Sequence, residues 1–80
     1  MKAKIQVMLK EGVLDPQGKA IQRALDGLGF NDVRELRLGK IIELVIDENN
    51  TDEAHAQISA MCEQLLANTV IENYHIELSE

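Results

Sequence analysis

The fold of this chain is decided by residues 2–21, KAKIQVMLKEGVLDPQGKAI. From residue 2 to residue 10, apolar and polar side chains alternate, which is the period of a β-strand with one buried face. The alternation ends at Gly12, and Asp15 followed by Pro16 is typical of a helix start, with the aspartate as N-cap and the proline at the first helical position. The stretch therefore predicts a strand, a loop and a helix in that order.

The predicted first helix runs from Pro16 to about Leu28 and carries one apolar stripe. Its apolar side chains recur at helical spacing, as expected of a helix that buries one face: Ala20, Ile21, Ala24, Leu25 and Leu28. Gly29 follows at the position where glycine commonly ends a helix. We expect this stripe to pack against a sheet.

Two further strands are predicted at residues 33–38 and 40–47, joined tightly around Gly39 as a hairpin. The second strand alternates cleanly and places three apolar side chains on one face: Ile42, Leu44 and Ile46. In the first strand, Val33 and Leu36 are separated by three positions, so they share a face only if the strand contains a bulge. The register of this strand is therefore open.

A second helix is predicted to open at Asn50, because Glu53 follows three residues later as in a capping box, and to end near Asn68. A last strand follows at residues 70–78. The order strand, helix, strand, strand, helix, strand predicts an α+β, ferredoxin-like βαββαβ fold, in which a four-stranded antiparallel sheet carries both helices on one face. No linker interrupts this order, so residues 1–80 are expected to form a single domain.

The composition excludes several classes of protein. Eight basic against fourteen acidic residues leave a net charge of −6, which repels phosphate backbones, so no nucleic-acid partner is expected. A hydrophobic fraction of 45% with 28% charged residues is that of a folded chain. No apolar run approaches the roughly 20 residues that span a bilayer, and the start of the chain lacks the apolar core of a signal peptide. The sequence thus predicts a cytoplasmic protein without a membrane partner.

The small size indicates a partner subunit. A chain of this length buries a small core, and such domains usually gain stability from disulfides, a metal or association. The single cysteine, Cys62, cannot form an internal disulfide, and with His55 and His75 it matches no zinc spacing. Association with a partner subunit is the remaining way to gain stability, and no metal site is expected.

Self-association is expected through the face of the sheet that the helices leave open, or through its edge strands. Four apolar residues fall on that face in the predicted register, and together they would form a patch of the size that marks an interaction site: Met8, Ile41, Val45 and Ile71. The alternative is that these are scattered exposed hydrophobic side chains of the ordinary kind.

The sequence contains no recognisable catalytic constellation. Both histidines are expected to be solvated surface residues rather than catalytic ones, His75 on a predicted strand and His55 on the first turn of a predicted helix beside Asp52 and Glu53. Cys62 is expected to be a small core residue, since nothing basic close to it in sequence would lower its pKa. The pairs Gly18-Lys19 and Gly39-Lys40 are not phosphate loops, because the pattern Gly-x4-Gly-Lys-Ser/Thr is absent.

Basic charge is concentrated around the predicted hairpin of this acidic chain. Arg34, Arg37 and Lys40 are three of the eight basic residues. Such a concentration suits the docking of a carboxylate, a phosphate or an acidic patch on another protein. The alternative is a solvated hairpin whose charges discourage pairing between sheet edges.

Four runs of residues together resemble one known family. They are GVLDPQG at 12–18, ALDGLGF at 24–30, RLGK at 37–40 and MCEQLLANTVIENY at 61–74. The first run is the most specific, and the resemblance covers nearly the whole chain. These runs resemble the PurS family, the small subunit of phosphoribosylformylglycinamidine (FGAM) synthase in de novo purine synthesis. Thr69, where the family often has proline, and Leu36 and Leu38, beside the arginine, are mild departures.

The resemblance implies a non-catalytic subunit of an enzyme that makes FGAM from formylglycinamide ribonucleotide, glutamine and ATP. It implies three partners: further copies of the chain as a dimer or tetramer, a glutaminase subunit and a large synthetase subunit. ATP and magnesium would be bound by the large subunit, with no cofactor on this chain. By matching positions, the resemblance assigns loop-shaping or subunit-interface roles to Asp15, Gln17, Gly18, Arg37, Gly39 and Lys40.

Two other functions share the predicted architecture. A small-molecule-sensing regulatory domain has the same order of elements, although it is normally attached to an enzyme or a regulator. An acyl-phosphate hydrolase of similar fold would need an arginine in the loop after the first strand. That loop contains Lys10 and no arginine, which disfavours the hydrolase.

Overall fold

The computed structural model describes all residues from Met1 to Glu80 and contains one antiparallel sheet of three strands. Its elements in chain order are β1 Lys2–Leu9, α1 Pro16–Gly27, β2 Gly39–Val45, α2 Thr51–Met61, a π-helical turn Cys62–Leu66 and β3 Glu72–Ser79. The central strand is β1, which pairs with β2 on one side and β3 on the other. The helix starts and the alternating strands predicted from the sequence are therefore confirmed at these positions.

The core lies on one face of this sheet. Ile5 at its centre is opposite Ile42 in β2 and Ile76 in β3, so the register aligns apolar side chains across all three strands. In β1 the inward residues Ala3, Ile5 and Val7 are all buried. This alternation follows from the period of two that the sequence shows.

The second helix covers the core from one side. Ala54 and Ile58 in α2 are completely buried, and Cys62 in the following π-helical turn is buried with them. The Asn50 side chain accepts a hydrogen bond of 3.0 Å from the Glu53 N–H, which confirms Asn50 as the N-cap. The reciprocal bond of a capping box is absent, because Glu48 accepts from the Asn50 N–H instead.

The prediction of a fourth strand at residues 33–38 is wrong. This segment pairs with no strand, and it returns along α1 instead. The Gln22 side-chain amide donates to the carbonyl oxygens of Val33 and Arg34, at 3.0 and 3.2 Å, and the Leu38 N–H donates to the Asp15 carboxylate. These side chains take backbone groups that a strand would use for pairing, so the sheet ends at β2.

The expectation that both helices cover one face of the sheet is also wrong. The only buried residue of α1 is Gly18, and no residue of α1 belongs to the hydrophobic core. The helix and the return segment, residues 29–38, form an arm (residues 16–38) that projects from the sheet. The Cα radius of gyration is therefore 16.1 Å, against about 12 Å for a compact chain of this length.

Candidate subunit interface

The loop before α1 is fastened to the end of the return segment by the carboxylate of Asp15. One oxygen accepts a hydrogen bond of 2.9 Å from the Gly18 N–H, as expected of an N-cap, and the other accepts one of 3.1 Å from the Leu38 N–H. These two bonds, assisted by the positive charge of Arg37, hold the pKa of Asp15 below its ordinary value. This arrangement, termed the Asp15 clasp, brings the loop before α1 and the end of the return segment side by side.

Two glycines allow the chain to approach itself closely at the clasp. A Cβ atom on Gly18 would lie 2.7 Å from the Asp15 carboxylate and 3.0 Å from the carbonyl oxygen of Leu36. A Cβ atom on Gly39 would lie 2.7 Å from the carbonyl oxygen of Val7 and would collide with the Met8 side chain. Both positions are therefore closed to any larger residue unless the backbone moves.

Arg37 is occupied within the chain. Its guanidinium donates to the carbonyl oxygen of Leu9 and to the Glu11 carboxylate, which lies 3.3 Å away. Arg37 therefore ties the return segment to the end of β1. The sequence did not predict that Arg37 bonds to Leu9 and Glu11, or that Gln22 bonds to the return segment. No local pattern marks a side chain that bonds to groups many residues away.

Gln17 and Lys40 lie at a small open cleft of about 250 Å³ beside the clasp. Asp15 and Gly39 also line this cleft, and Glu72 closes it from β3. The side chains of Gln17 and Lys40 are exposed and make no hydrogen bond or ion pair within the chain. The six predicted residues thus divide into four that build the clasp region and two that present free polar groups; these two are termed the Gln17–Lys40 rim.

The basic residues do not gather into one patch. Arg34 and Arg37 line a separate cleft of about 290 Å³ between the loop and the return segment, together with Lys10 and Lys19. The same cleft contains Glu11, Asp15 and Glu35, so charges of both signs are mixed there. Lys40 belongs to the smaller cleft.

Of the four residues predicted for self-association, three lie on the outer face of the sheet and one lies just before β3. Ile41 and Val45 are exposed, with Glu43 between them opposite Lys4. Met8 pairs with Gly39 at the end of β2, while Ile71 lies before β3 and accepts a backbone hydrogen bond from Lys10. Their role in association stays a prediction.

The cysteine and both histidines lie in the environments that the sequence predicts. Cys62 is buried, and burial raises the pKa of its thiol, so it is a core residue as expected. Burial and the nearby Glu63 carboxylate raise the pKa of Tyr74. His55 and His75 are both exposed. No three side chains of the metal-binding types come together, and none of the helices has the length and apolar character needed to cross a membrane.

The fold and sequence match known proteins over almost their full length. The PurS family, described as phosphoribosylformylglycinamidine (FGAM) synthase, matches residues 2–80. The PurS subunit of Bacillus subtilis (strain 168) is 49% identical over 79 residues, covering 99% of this chain and 93% of that protein. The corresponding subunit of Methanocaldococcus jannaschii is 42% identical, covering 99% and 95%.

Solved structures agree with these relatives. The structure of Bacillus subtilis PurS superposes with a TM-score of 0.89 at 49% identity, covering 99% of this chain and 98% of that one. A chain of the PurLQS structure from Thermotoga maritima superposes with a TM-score of 0.86 at 37% identity, covering 95% and 93%. The resemblance seen in the sequence is confirmed, and the chain belongs to the PurS family of FGAM synthase subunits.

Proposed function

We propose that this chain is the non-catalytic small subunit that bridges the glutaminase and the ATP-dependent synthetase subunits of FGAM synthase. Ammonia released from glutamine has to reach the synthetase without escaping into solvent. A subunit that contacts both enzymes fixes their relative position, which raises the rate of transfer as proximity does within one active site. The place of a related chain in the PurLQS structure from Thermotoga maritima supports this role.

In this proposal the chain performs no chemical step of its own. ATP and magnesium are bound by the large subunit, and this chain holds no cofactor. Its partners are a further copy or copies of itself, the synthetase subunit and the glutaminase subunit. A cytoplasmic location is part of the proposal, since a buried free cysteine suits a reducing compartment.

The observation that carries the proposal is the Gln17–Lys40 rim. Its two side chains are exposed and unpaired, while the backbone beneath them is fixed by the Asp15 clasp and by close packing at Gly18 and Gly39. Free polar groups on a rigid base are suited to recognise a partner surface, because little conformational freedom is lost on binding. The clasp residues shape this surface, and the rim residues contact a partner subunit.

The test is charge reversal at Lys40 in the reconstituted three-subunit complex. We expect Lys40→Glu, alone or with Gln17→Ala, to weaken assembly and to lower glutamine-dependent FGAM synthesis at least severalfold. Synthesis driven by added ammonium salt should be unchanged, because free ammonia bypasses the glutaminase. Arg37→Glu should also weaken assembly, but it breaks bonds within the chain, which makes Lys40 the cleaner position.

Lys4→Glu is the matched control, since Lys4 is an exposed lysine on the outer face of the sheet. It should leave assembly and both activities at the level of the unmodified chain. Full glutamine-dependent activity with Lys40→Glu and Gln17→Ala combined would show that the rim does not contact a partner.

A further inference from the structure

We propose that the Gln17–Lys40 rim binds a carboxylate, the side chain of an aspartate or glutamate on one of the two enzyme subunits. The inference rests on the proposed bridging function. It deepens that function by naming the chemical group that the rim receives, and it makes the ammonium group of Lys40 the charged centre of the contact.

The side chain of Lys40 leaves the sheet on the face that carries the core. Lys40 lies opposite Val7 in the register, and directly opposite residues of two paired strands share a face. Val7 is buried, whereas Lys40, at the edge of the sheet, is exposed. Of the β2 residues on this face, Lys40 is the only charged one. It therefore brings a positive charge to the cleft beside the Asp15 clasp.

The two carboxylates that line this cleft are already engaged with backbone groups. One oxygen of Asp15 caps α1 and the other accepts from the Leu38 N–H. The Glu72 carboxylate accepts a hydrogen bond of 2.7 Å from the Asn68 N–H. Neither carboxylate lies within 4.0 Å of the Lys40 ammonium. The charge of Lys40 is therefore left for a group from outside the chain.

The donors at the cleft suit one carboxylate better than a phosphate group. Lys40 offers a charged donor and the Gln17 amide a neutral one, which together match the two oxygens of an acidic side chain. Phosphate sites usually combine arginine with several free backbone N–H groups. Here the N–H groups of the clasp already donate to Asp15, and the Arg37 guanidinium is bonded within the chain.

The size and lining of the cleft indicate that the carboxylate belongs to a protein. The cleft is open, has a volume of about 250 Å³ and has apolar walls from Val7, Leu9 and Leu38. An ion pair in contact with water contributes little to binding, so the cleft would not retain a free carboxylate. A protein surface that covers the cleft excludes water and strengthens the same pair.

A second copy of this chain is a poorer source of the carboxylate than an enzyme subunit. A group of exposed acidic residues of this chain follows the ends of β2 and β3, at the end of the sheet away from the cleft: Asp47, Asp52, Glu53 and Glu80. Joining that end of one copy to Lys40 of the next would give a head-to-tail contact, which leaves a free site at each end.

Carbodiimide crosslinking of the reconstituted three-subunit complex tests the proposal. The reagent joins a lysine amine directly to a carboxylate that contacts it, with no spacer. Mass spectrometry should find Lys40 joined to an aspartate or glutamate of the glutaminase or the synthetase subunit. Lys4 lies opposite Glu43 and Glu77, so a crosslink there within the chain shows that the reagent has acted.

Two crosslinking results would overturn the proposal. The first is a Lys40 crosslink confined to this chain or to another copy of it, which a mixture of isotope-labelled and unlabelled copies distinguishes. The second is no Lys40 crosslink in a complex in which Lys4 has reacted.

Assembly at different salt concentrations supplies a second test. Lys40→Met keeps an apolar stem and loses the charge, so it should weaken assembly roughly tenfold or more at low salt. The loss should shrink as sodium chloride is added, because salt screens the pair in the unmodified complex. Lys40→Arg should retain most of the affinity, and Lys4→Met, the matched control on the outer face, should assemble as the unmodified chain does.

The outcomes separate this inference from the bridging function. A loss with Lys40→Met that does not change with salt would mean that packing rather than charge is lost, and it would overturn the carboxylate while leaving the bridging function. Unchanged assembly with Lys40→Met would do the same. An unmodified chain that joins neither enzyme subunit would instead overturn the bridging function itself.

Discussion

At the scale of single residues, one carboxylate decides the course of the chain. Asp15 caps α1 through Gly18 and also holds the Leu38 N–H, so it fixes both ends of the arm at one point. Arg37 adds a second attachment next to it through Leu9. The arm therefore leaves the sheet and returns to it within a few ångströms, which is why the predicted loop and hairpin residues form one surface.

The Asp15 clasp should weaken in acid. Because its ionised form accepts the Gly18 and Leu38 bonds, its pKa lies below the ordinary value of 3.8. The sign follows from linkage: the clasp stabilises the fold fully above 3.8, and this contribution is lost as the pH falls through the lower folded-state pKa. In NMR titrations, the amide protons of Gly18 and Leu38 should shift together below pH 3.8.

Asp15→Asn is the control for that titration. The amide still provides one acceptor oxygen for the helix cap, but it cannot accept from both N–H groups or lose a charge. The common titration of the two amides should disappear, and Leu38 should exchange its amide proton faster. If the two amides titrated unchanged in Asp15→Asn, another carboxylate would be responsible.

Gly39 and Gly27 form a matched pair that tests whether glycine is required where two segments of the chain approach each other closely. Gly39→Ala should lower the free energy of unfolding by about 1–3 kcal/mol, because its methyl group would press on the carbonyl oxygen of Val7 and force β2 away from β1. Gly27→Ala should be neutral or stabilising by up to about 1 kcal/mol, since nothing lies within 4 Å of its added atom. Urea denaturation of both variants measures the difference, and equal effects would rule out the steric explanation.

At the scale of secondary-structure elements, α2 carries the packing of the core. Ile58→Val should lower the free energy of unfolding by about 0.5–1.5 kcal/mol, because Ile58 is fully buried and the lost methylene leaves a void. Leu65→Ala removes more atoms from the following turn but should cost less than about 0.5 kcal/mol, since Leu65 is 84% exposed. Chemical denaturation checks both, and a larger loss for Leu65→Ala would mean that this side chain packs in the folded state.

The elements that could be predicted from the sequence are those defined by local pattern. The alternation in β1 and β2, the Asp15-Pro16 helix start and the Asn50 cap each depend on neighbouring residues, and each is confirmed. The prediction of a strand at residues 33–38 was wrong because the structure of this segment depends on Gln22 and Asp15, which lie more than ten positions away. The spacing of Val33 and Leu36 already departed from strand period, which was the one local sign.

The candidate site was predictable to a similar extent. The family resemblance located the six loop and hairpin residues, and the Asp-Pro pair explained the cap. What the sequence could not separate was structural from exposed residues: Arg37 and Lys40 are equally basic, yet only Arg37 is bonded within the chain. That distinction depends on the path of the return segment, which no local pattern defines.

At the scale of the whole molecule, the chain is elongated and buries few of its residues. Only eight of its 80 residues are buried, and its dimensions of 49 × 26 × 15 Å are those of an elongated body. Such a shape is poorly suited to a stable monomer, because the entropy lost on ordering the chain is opposed by little burial. It suits a subunit that gains stability from contact with its partners.

If a second copy completes the fold, thermal stability should depend on protein concentration. Association stabilises the folded state by mass action, so a tenfold rise in concentration adds about 1.4 kcal/mol per dimer. For a dimer of this size that corresponds to an increase in Tm of roughly 3–6 °C. Calorimetry across a hundredfold range of concentration measures the slope. A Tm of the unmodified chain that is independent of concentration would mean that the elongated chain is stable alone.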